Sequence, residues 1–419
     1  MLDPKFIRNN FELVKKNTSE RGMNPDMVDE WLKVDESRAS LLTQKEDLNK
    51  EKNELAELGK SGDVESLREK GKELKLKAKD IEEKFNKTDK AWHALINQIP
   101  NIHRPEVPIG KNEDENTVHR THGDIPKFDF ELKDHLELGK MHDMIDFEAG
   151  AKVSGSQFYF LKNDAVRLEL SLMQFGLNFL AERGYTPVMT PDLAKSRYYL
   201  GTGYAPKGEE AQIYEIDGED LGLIATAEIT MAGMHADEVF TPDQLPLKYA
   251  AISHCFRKEA GAYGKYSKGM YRVHQFTKLE MFVYCLPEQS EEMHQEILKN
   301  EEELTQALEI PYRVVEMCSG DLGAIASRKY DLEAWMAGRN DYGEITSTSN
   351  TDDFQARNLN IKVKTDKGNE FVHMLNGTAL VTSRIPIVIF ENNQLADGSI
   401  RIPSVLVPYM GKEFIGNSE

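Results

Sequence analysis

A long heptad repeat near the N-terminus is the feature of this sequence that most restricts its fold. Mostly apolar residues alternate at spacings of three and four along one stretch: Val64, Leu67, Gly71, Leu74, Ala78, Ile81, Phe85, Thr88, Trp92 and Leu95. Upstream, a second series recurs every seven residues: Val34, Leu41, Leu48 and Leu55. Such a seam is typical of helices that pack as a coiled coil. Because Gly59–Asp63 predicts a turn between the two runs, we expect one antiparallel helical hairpin over about residues 27–98.

The predicted hairpin is long and nearly neutral. Helices of about thirty residues rise about 1.5 Å per residue, so the arm should reach roughly 50 Å. The whole chain carries 52 Lys and Arg against 71 Asp and Glu, a net charge of −19, and this excludes DNA or RNA binding through overall charge. Five lysines follow closely in the second helix: Lys70, Lys72, Lys75, Lys77 and Lys79. They predict either a solvated helix face or a row of phosphate contacts.

Composition excludes several classes of protein. No apolar stretch approaches the roughly 18 residues that a membrane-spanning helix needs, and the N-terminus lacks the pattern of a secretory signal. Cys255, Cys285 and Cys318 lie far apart, without the spacing of a zinc site. We therefore expect a cytoplasmic protein without zinc that binds neither membranes nor DNA.

The pattern of elements predicts two domains. Residues 1–103 should form an N-terminal domain, with a helical lead-in to about residue 26, and residues 104–126, which lack an apolar period, should form a linker. Beyond them, strands are clearest at Leu247–Phe256, Tyr271–Tyr284 and Tyr342–Ser349, without strict alternation with helices. The sequence therefore predicts an α+β domain over residues 127–419, built on an antiparallel β-sheet flanked by helices.

One pair of predicted strands carries charged residues on a common face. Arg257 and Glu259 should share a face of the first strand, and Lys278 and Glu280, with Phe276, a face of the second, because side chains alternate along a strand. Arginine suits phosphate or carboxylate, and a carboxylate suits an ammonium group or an exocyclic amine. The pattern indicates either a cross-strand ion pair or a binding cleft.

Several motifs in a fixed order give the chain a family resemblance. They are Gly184–Pro191, Thr226–Glu228, Phe256–Glu259 with His274–Glu280, Glu344–Asn350, Asp353–Arg357, and Leu375–Ala379 continuing to Ser383, Arg384 and Glu391–Gln394. On these motifs the whole chain resembles the seryl-tRNA synthetases, which are class II aminoacyl-tRNA synthetases. The resemblance implies activation of L-serine with ATP to seryl-adenylate and pyrophosphate. It implies transfer of serine to the terminal adenosine of serine tRNA, and leaves selenocysteine tRNA open as a second acceptor.

The resemblance also implies roles for individual residues. Arg257 would bind the α-phosphate and the amino-acid carboxylate, Arg384 the γ-phosphate, and Glu259 the adenine amine. Glu344 and Ser347 would hold Mg²⁺ with the ATP. The implied ATP-binding set is Arg257, Lys258, Glu259, Glu344, Ile345, Thr346, Ser347 and Arg384. The implied serine-binding set is Thr226, Ala227, Glu228, Arg257, Glu280, Asn376 and Thr378.

The same resemblance implies partners and shows departures from the family pattern. The coiled-coil arm would grip the long variable arm of tRNA, and Gly184–Pro191 would contribute to a homodimer interface. Thr378 stands where many members have serine, and Lys268 where arginine is usual. Pro386 follows Arg384, so the helix there should begin near Ile385, because proline is tolerated in a first turn.

Two alternative functions agree less well with the sequence. An enzyme that delivers the amino acid to a carrier protein typically lacks the long arm, and a non-catalytic paralogue would have lost the phosphate arginines or the magnesium glutamate.

Two further expectations concern residues outside these motifs. Cys255 is expected to be a small core residue. The acidic run Glu301–Glu303 predicts a solvated helix face.

Overall fold

The computed structural model describes residues 1–58, 64–204, 213–259 and 267–416. The chain forms two compact units, Met1–Ile102 and His103–Glu419. Within the described ranges, no helix combines the length and the apolar character needed to cross a membrane.

The described part of the first unit is built of helices. Its helices are α1 (Pro4–Asn9), α2 (Phe11–Glu20), α3 (Asp26–Leu58) and α4 (Val64–Ile96). The Asp3 carboxylate caps α1 by accepting the N–H of Lys5 at 2.7 Å. After α2, Gly22 adopts φ +70°, a left-handed conformation that ends a helix readily only at glycine. The predicted lead-in is therefore two short helices.

Helices α3 and α4 run antiparallel. The Trp31 and Trp92 rings lie 5.9 Å apart, Arg38 Nε donates to Asp89 at 2.7 Å, and Lys45 Nζ donates to Glu82 at 3.3 Å. From Trp31 to Lys45 along α3, the contacting residue on α4 moves backward from Trp92 to Glu82. This antiparallel pairing confirms the predicted hairpin. The predicted turn at Gly59–Asp63 lies outside the described residues.

The second unit is built on β-strands. In chain order they are β1 (Thr117–His122), β2 (Ile145–Asp146), β3 (Phe160–Leu161), β4 (Thr186–Met189), β5 (Leu193–Ala194), β6 (Tyr214–Glu215), β7 (Gly222–Leu223), β8 (Val239–Phe240), β9 (Leu247–Phe256), β10 (Gln275–Cys285), β11 (Tyr312–Glu316), β12 (Arg328–Met336), β13 (Asp341–Asn350), β14 (Lys362–Thr365), β15 (Gly368–Phe371), β16 (His373–Val381), β17 (Ile400–Arg401) and β18 (Phe414–Ile415). Eight of these form the main sheet, in the order β1-β11-β12-β13-β16-β10-β9-β4. Every neighbouring pair is antiparallel except β4 with β9. The predicted antiparallel sheet is confirmed.

Helices pack on both faces of this sheet. They are α5 (His135–Met141), α6 (Phe147–Ser154), α7 (Asp164–Ala181), α8 (Ser196–Thr202), α9 (Ala227–Met234), α10 (Ser290–Ala307), α11 (Phe354–Leu359), α12 (Ile385–Asn392) and α13 (Val407–Met410). The face of β10 that carries Leu279 and Met281 belongs to the main core with α7 and α10. On the opposite face, Phe282 packs in a second core with α9 and α11. Nearer the Gln275 end of β10, where Lys278 and Glu280 lie, this second face borders a cleft.

The strand predictions hold with adjusted ends. The strand over Leu247–Phe256 has the predicted bounds, and that over Tyr342–Ser349 is one residue longer at each end. The strand predicted from Tyr271 begins at Gln275, because Gly269–Tyr271 forms a 3₁₀ turn instead. The helix at Pro386 begins at Ile385, as predicted.

The segment predicted as a linker contains an edge strand. Within residues 104–126, strand β1 pairs with β11 at one end of the main sheet. All six of its side chains are exposed, so the strand has no buried face to produce alternating apolar residues. The interpretation of these six residues as linker was wrong for that reason.

Candidate active site

A cleft of about 290 Å³ lies on the open face of the main sheet. Its walls come from β10, β13, β16 and the chain that follows β9, which are close in the sheet although distant in sequence. Most of the predicted site residues line it: Glu228, Arg257, Glu259, Glu280, Glu344, Ile345, Thr346, Ser347, Asn376, Thr378 and Arg384. The sheet therefore gathers the residues of both substrate sets into one cavity.

Three predicted site residues lie outside the lining of this cleft. The Thr226 hydroxyl lies behind the cleft wall, where it accepts a hydrogen bond from Lys278 Nζ at 2.9 Å. Ala227 is fully buried in the second core. Lys258 Nζ lies 5.7 Å from the ring of Tyr214 and borders a different hollow. The structure thus gives Thr226 an indirect position and brings neither Ala227 nor Lys258 to the cleft.

A β-bulge in β13 brings Glu344 and Ser347 to the same face. Asp331 of β12 pairs with Ser347, but Glu333 pairs with Glu344, so β13 has one extra residue in this interval. Without the bulge, two residues three positions apart would point to opposite faces. With it, the Glu344 carboxylate and the Ser347 hydroxyl face the cleft together.

A second bulge shapes the other half of the cleft. On β16 the register with β10 shifts so that Leu279 pairs with Leu380 and Glu280 pairs with Thr378. This places the Thr378 hydroxyl directly across from the Glu280 carboxylate. Glu280 also forms a very short ion pair with Lys278, and both side chains are buried. A hydroxyl, a carboxylate and an ammonium group therefore meet in a small polar pocket.

Arg257 and Glu259 reach the cleft from beyond the end of their strand. Strand β9 ends at Phe256 and Glu259 adopts φ +50°, so the predicted shared strand face does not extend to these residues. Arg257 instead donates from Nε to the carbonyl of Ala225 at 3.3 Å and lies 5.2 Å from the centre of the Phe276 ring. Glu259 Oε2 accepts from Arg272 at 2.6 Å. Both side chains are therefore held in place by groups that line or border the cleft.

Arg384 directly precedes α12 and is fixed on two sides. Its Nη1 donates to the Glu344 carbonyl at 2.8 Å and lies 3.2 Å from Glu344 Oε1. Its guanidinium carbon lies 4.7 Å from the centre of the Tyr271 ring. Desolvation acts to raise the pKa of Glu344, but Arg384, Lys329 and Arg257 lower it to about 2. Glu344 is therefore ionised at neutral pH.

The donor groups around Glu344 suit a hard divalent cation. The Glu344 side chain remains 44% exposed, so a ligand can still reach it, and Ser347 adds a second oxygen on the same face. The described residues contain no cluster of three or more His, Cys, Asp or Glu able to hold a metal by themselves. Mg²⁺ commonly takes only one or two protein oxygens and completes its shell with water and substrate phosphates. The residues present therefore fit a magnesium ion that takes its remaining ligands from water and phosphate.

Glu228 is the other carboxylate of the polar pocket. Its pKa is raised to about 7, mainly by burial and also by the nearby Glu280 carboxylate. A hydrogen bond from Gln355 Nε2 at 2.7 Å and the charge of Lys278 act in the opposite direction. Within the described part of the chain, the buried Asn376 Nδ2 has no hydrogen-bond partner. The pocket thus offers a titrating carboxylate and an unused amide donor.

Several residues of the cleft were not predicted as site residues. Lys278, Tyr271, Arg272, Lys329 and Ser349 all line it. For Lys278 a signal existed, since it shares the strand face of Glu280. Lys329 carried no such signal, because only the pairing of β12 with β13 brings it near Glu344.

The acidic run Glu301–Glu303 is not a solvated helix face. Glu301 is fully buried, Glu302 pairs with Arg120, and Glu303 Oε2 accepts from Arg183 at 2.7 Å. Glu301 lies under the sheet, where a Cβ on Gly377 would come within 2.8 Å of its Oε1, and its Oε2 lies 3.1 Å from Thr346 Oγ1. The prediction was wrong because burial here depends on the sheet that covers the helix.

We expect Glu301→Gln to raise thermal stability at alkaline pH. Burial raises the pKa of Glu301 well above its usual value, so the folded protein keeps a proton that the unfolded chain releases. The free energy of unfolding should then fall as pH rises above the unfolded pKa, and an amide removes this loss. The melting temperature of the variant should therefore be higher than that of the parent at pH 8, and the two melting temperatures should be similar near pH 5.

Glu303→Gln provides a control of opposite sign. Arg183 lowers the pKa of Glu303, so its carboxylate stabilises the fold above the unfolded pKa. This variant should melt slightly below the parent at pH 8. A melting difference between Glu301→Gln and the parent that stays constant from pH 5 to pH 8 would contradict a neutral Glu301.

Family profiles match both units. The seryl-tRNA synthetase N-terminal domain matches residues 1–103, and the class II tRNA synthetase core domain of the G, H, P, S and T type matches residues 213–393.

Whole-chain comparisons agree with the profiles. The serine–tRNA ligase of Treponema denticola is 51% identical over 99% of this chain and all of its own length. That of Rubrobacter xylanophilus is 51% identical over 99% of each chain. The crystal structure of seryl-tRNA synthetase from Pyrococcus horikoshii complexed with ATP superposes with a TM-score of 0.90, at 41% identity and with full coverage of both chains.

Proposed function

Since this chain belongs to the seryl-tRNA synthetase family, we propose that the cleft between Arg257 and Arg384 is where it activates serine. The chain is an ATP-dependent enzyme that activates L-serine and charges tRNA with it. The observation that carries the proposal for the cleft is the meeting of Arg257 and Arg384 with the buried carboxylates of Glu228 and Glu280 in one cavity.

Activation requires positioning more than proton transfer. The serine carboxylate attacks the α-phosphate of ATP and pyrophosphate leaves, and this carboxylate is already ionised at neutral pH. Arg257 binds the carboxylate and the α-phosphate, because its fork can donate to two oxygens at once. Its stacking near Phe276 and its bond to Ala225 fix the fork before the substrates arrive.

The rest of the ATP is held along the cleft. Arg384 binds the γ-phosphate, and Glu259 accepts from the adenine amine through Oε1 while Arg272 occupies Oε2. Glu344 and Ser347 would hold Mg²⁺, which when bound neutralises charge on the phosphates. The low pKa of Glu344 keeps that carboxylate ionised for this purpose.

The polar pocket receives the serine. Glu228 and Glu280 face the α-ammonium and the side-chain hydroxyl, and Thr378 across from Glu280 offers a further hydrogen bond. Lys278 and Thr226 act indirectly, by holding Glu280 and the start of α9. The unused Asn376 Nδ2 can donate to the substrate. A pocket that hydrogen-bonds a hydroxyl rejects analogues without it by about 10⁴-fold to 10⁵-fold.

The role of Glu228 predicts a pH dependence. Its pKa of about 7 means that protonation below that pH removes the negative charge that attracts the serine ammonium. At saturating ATP, kcat/KM for serine in pyrophosphate exchange should fall about tenfold for each pH unit below 7. Glu228→Gln should be slower at all pH values and should lose this slope. Parallel profiles of parent and variant would contradict the assignment.

We also propose that α4 contributes to tRNA binding. Lys70, Lys72 and Lys75 are exposed on this helix, where they can reach phosphates of the long variable arm. We therefore propose phosphate contacts for these lysines and not a solvated helix face alone.

The free cysteines, all buried, are compatible with a cytoplasmic location, which we propose as well.

A homodimer is the proposed assembly. Strand β4 lies at an edge of the main sheet, and Met189 at its end is 81% exposed beside a mostly apolar hollow that Met234 also lines. An exposed apolar patch at a sheet edge is typical of an interface.

Met189→Glu should weaken this dimer. A charge in the apolar interface would be buried without a partner, so the variant should sediment as a smaller species than the parent at low micromolar concentration. Val153→Glu is the control, because Val153 is 70% exposed on α6 and does not line the hollow. A parent that sediments as a monomer would contradict the proposal.

A further inference from the structure

A buried histidine–carboxylate pair lies next to the cleft and has none of the roles proposed above. His135 begins α5, and Glu391 lies near the end of α12; both side chains are almost inaccessible to solvent. His135 Nδ1 lies 2.8 Å from Glu391 Oε1, which also accepts the backbone N–H of His135 at 3.1 Å. Glu391 Oε2 accepts the N–H of Gly338 at 3.0 Å. The carboxylate therefore joins α5, α12 and the turn between β12 and β13.

The partners of His135 define which ring nitrogen carries the proton. A carboxylate only accepts, so Nδ1 donates to Glu391, and Nε2 accepts the backbone N–H of Met270 at 3.3 Å. Gly269 adopts φ +58°, and a Cβ there would lie 2.1 Å from His135 Nε2. Only glycine allows this approach, so the imidazole fixes the backbone of the Gly269–Tyr271 turn.

That turn carries the residue that holds Arg384. The Tyr271 ring lies 4.7 Å from the Arg384 guanidinium carbon, and the Tyr271 carbonyl lies 3.5 Å from Arg384 Nε. A continuous set of contacts thus runs from Glu391 through His135 and Met270 to Tyr271 and Arg384. Arg384 and Glu391 also lie at opposite ends of the same short helix.

We propose that His135 and Glu391 are positioning residues for the polyphosphate of ATP. They hold the Gly269–Tyr271 turn so that Tyr271 keeps the Arg384 guanidinium directed at the γ-phosphate. The proposal rests on the γ-phosphate role of Arg384 proposed above. A purely structural pair would support all ligands of the cleft equally, whereas this pair supports those that reach Arg384.

Binding of ATP and AMP separates these two roles. AMP lacks the β- and γ-phosphates, so it does not need Arg384. His135→Asn keeps a donor near the position of Nδ1 and loses the acceptor for Met270, whereas His135→Gln can place an oxygen near Nε2. By calorimetry with magnesium and without serine, His135→Asn should raise the Kd for ATP about tenfold, which is about 1.4 kcal/mol, and leave that for AMP within about twofold. His135→Gln should restore ATP binding to within about threefold of the parent.

The outcomes distinguish failure of this proposal from failure of the proposed function. Equal weakening of ATP and AMP by His135→Asn, or no rescue by His135→Gln, would overturn the positioning role. Should His135→Asn not fold, Glu391→Gln tests the same role, since an amide has one acceptor oxygen where the carboxylate has two, so either the N–H groups of His135 or that of Gly338 lose their acceptor; a loss selective for ATP supports the proposal and an equal loss overturns it. Arg384→Ala must itself weaken ATP and spare AMP. If it does not, the assignment of Arg384 is wrong, whatever His135 does.

Discussion

Replacement of Arg257 by alanine should lower kcat/KM for serine-dependent pyrophosphate exchange by at least about 10³-fold. Removing one preorganised donor to a developing charge commonly costs about 10²-fold to 10³-fold, and Arg257 is proposed to serve both reacting groups. Arg257→Lys keeps the charge but loses the planar fork, so it should recover only part of the activity. Exchange of labelled pyrophosphate into ATP, at saturating ATP and varied serine, measures the effect.

The folded state should tolerate this change. Among the described residues, the Arg257 side chain stacks near Phe276 and donates one hydrogen bond, to Ala225, so the melting temperature should change little. Arg401→Ala is the matched control, because Arg401 forms an exposed ion pair with Glu309 on the protein surface. Its activity should stay within about twofold of the parent. Activity of Arg257→Ala near that of Arg401→Ala would contradict the proposed site.

Shortening the helical arm should strongly weaken tRNA charging and leave serine activation nearly unchanged. Residues 46–81 can be replaced by a short glycine-rich loop, because Lys45 and Glu82 already lie across from each other with Nζ to Oε1 at 3.3 Å. The layers below, Arg38 with Asp89 and Trp31 with Trp92, remain intact. Charging of serine tRNA should fall about 10²-fold or more in kcat/KM, because the phosphate contacts proposed for the arm would be lost. Serine-dependent exchange should stay within about twofold of the parent.

A milder variant tests how the arm acts. Replacing Lys70, Lys72 and Lys75 together by glutamine keeps the helices but removes three exposed charges. Charging should weaken and depend less steeply on salt concentration than in the parent. Unchanged tRNA charging by the enzyme with the shortened arm would contradict a tRNA-binding role for α3 and α4.

Regular patterns in the sequence predicted the regular parts of the fold. The heptads around Trp92 predicted a hairpin because their period persists over many turns. The strand Leu247–Phe256 was predicted with the right bounds. By contrast, Thr117–His122 escaped prediction since an edge strand with all side chains exposed needs no apolar alternation.

The geometry of the site depended on features that only paired strands reveal. The residue types of the cleft, such as Arg257 and Glu280, were evident from the sequence and its family resemblance. The bulges near Ile345 and Ala379 were not, because a bulge is a property of two strands in register.

Burial of charged residues was the hardest feature to predict. Glu301 follows a polar helix pattern, and only its position beneath Gly377 and beside Thr346 buries it. His135 likewise meets Met270 and Glu391 across more than a hundred residues of chain. Such contacts arise from tertiary packing and leave no local period in the sequence.

The most direct test of the account is pyrophosphate exchange by the unmodified enzyme with serine, alanine and glycine in turn. If Glu228, Glu280 and Thr378 form a pocket that hydrogen-bonds the serine hydroxyl, serine should support exchange, and alanine and glycine should be weaker by about 10⁴-fold in kcat/KM. Exchange with alanine or glycine comparable to that with serine would contradict this pocket, and absence of exchange with serine would contradict the assignment of the cleft as an active site.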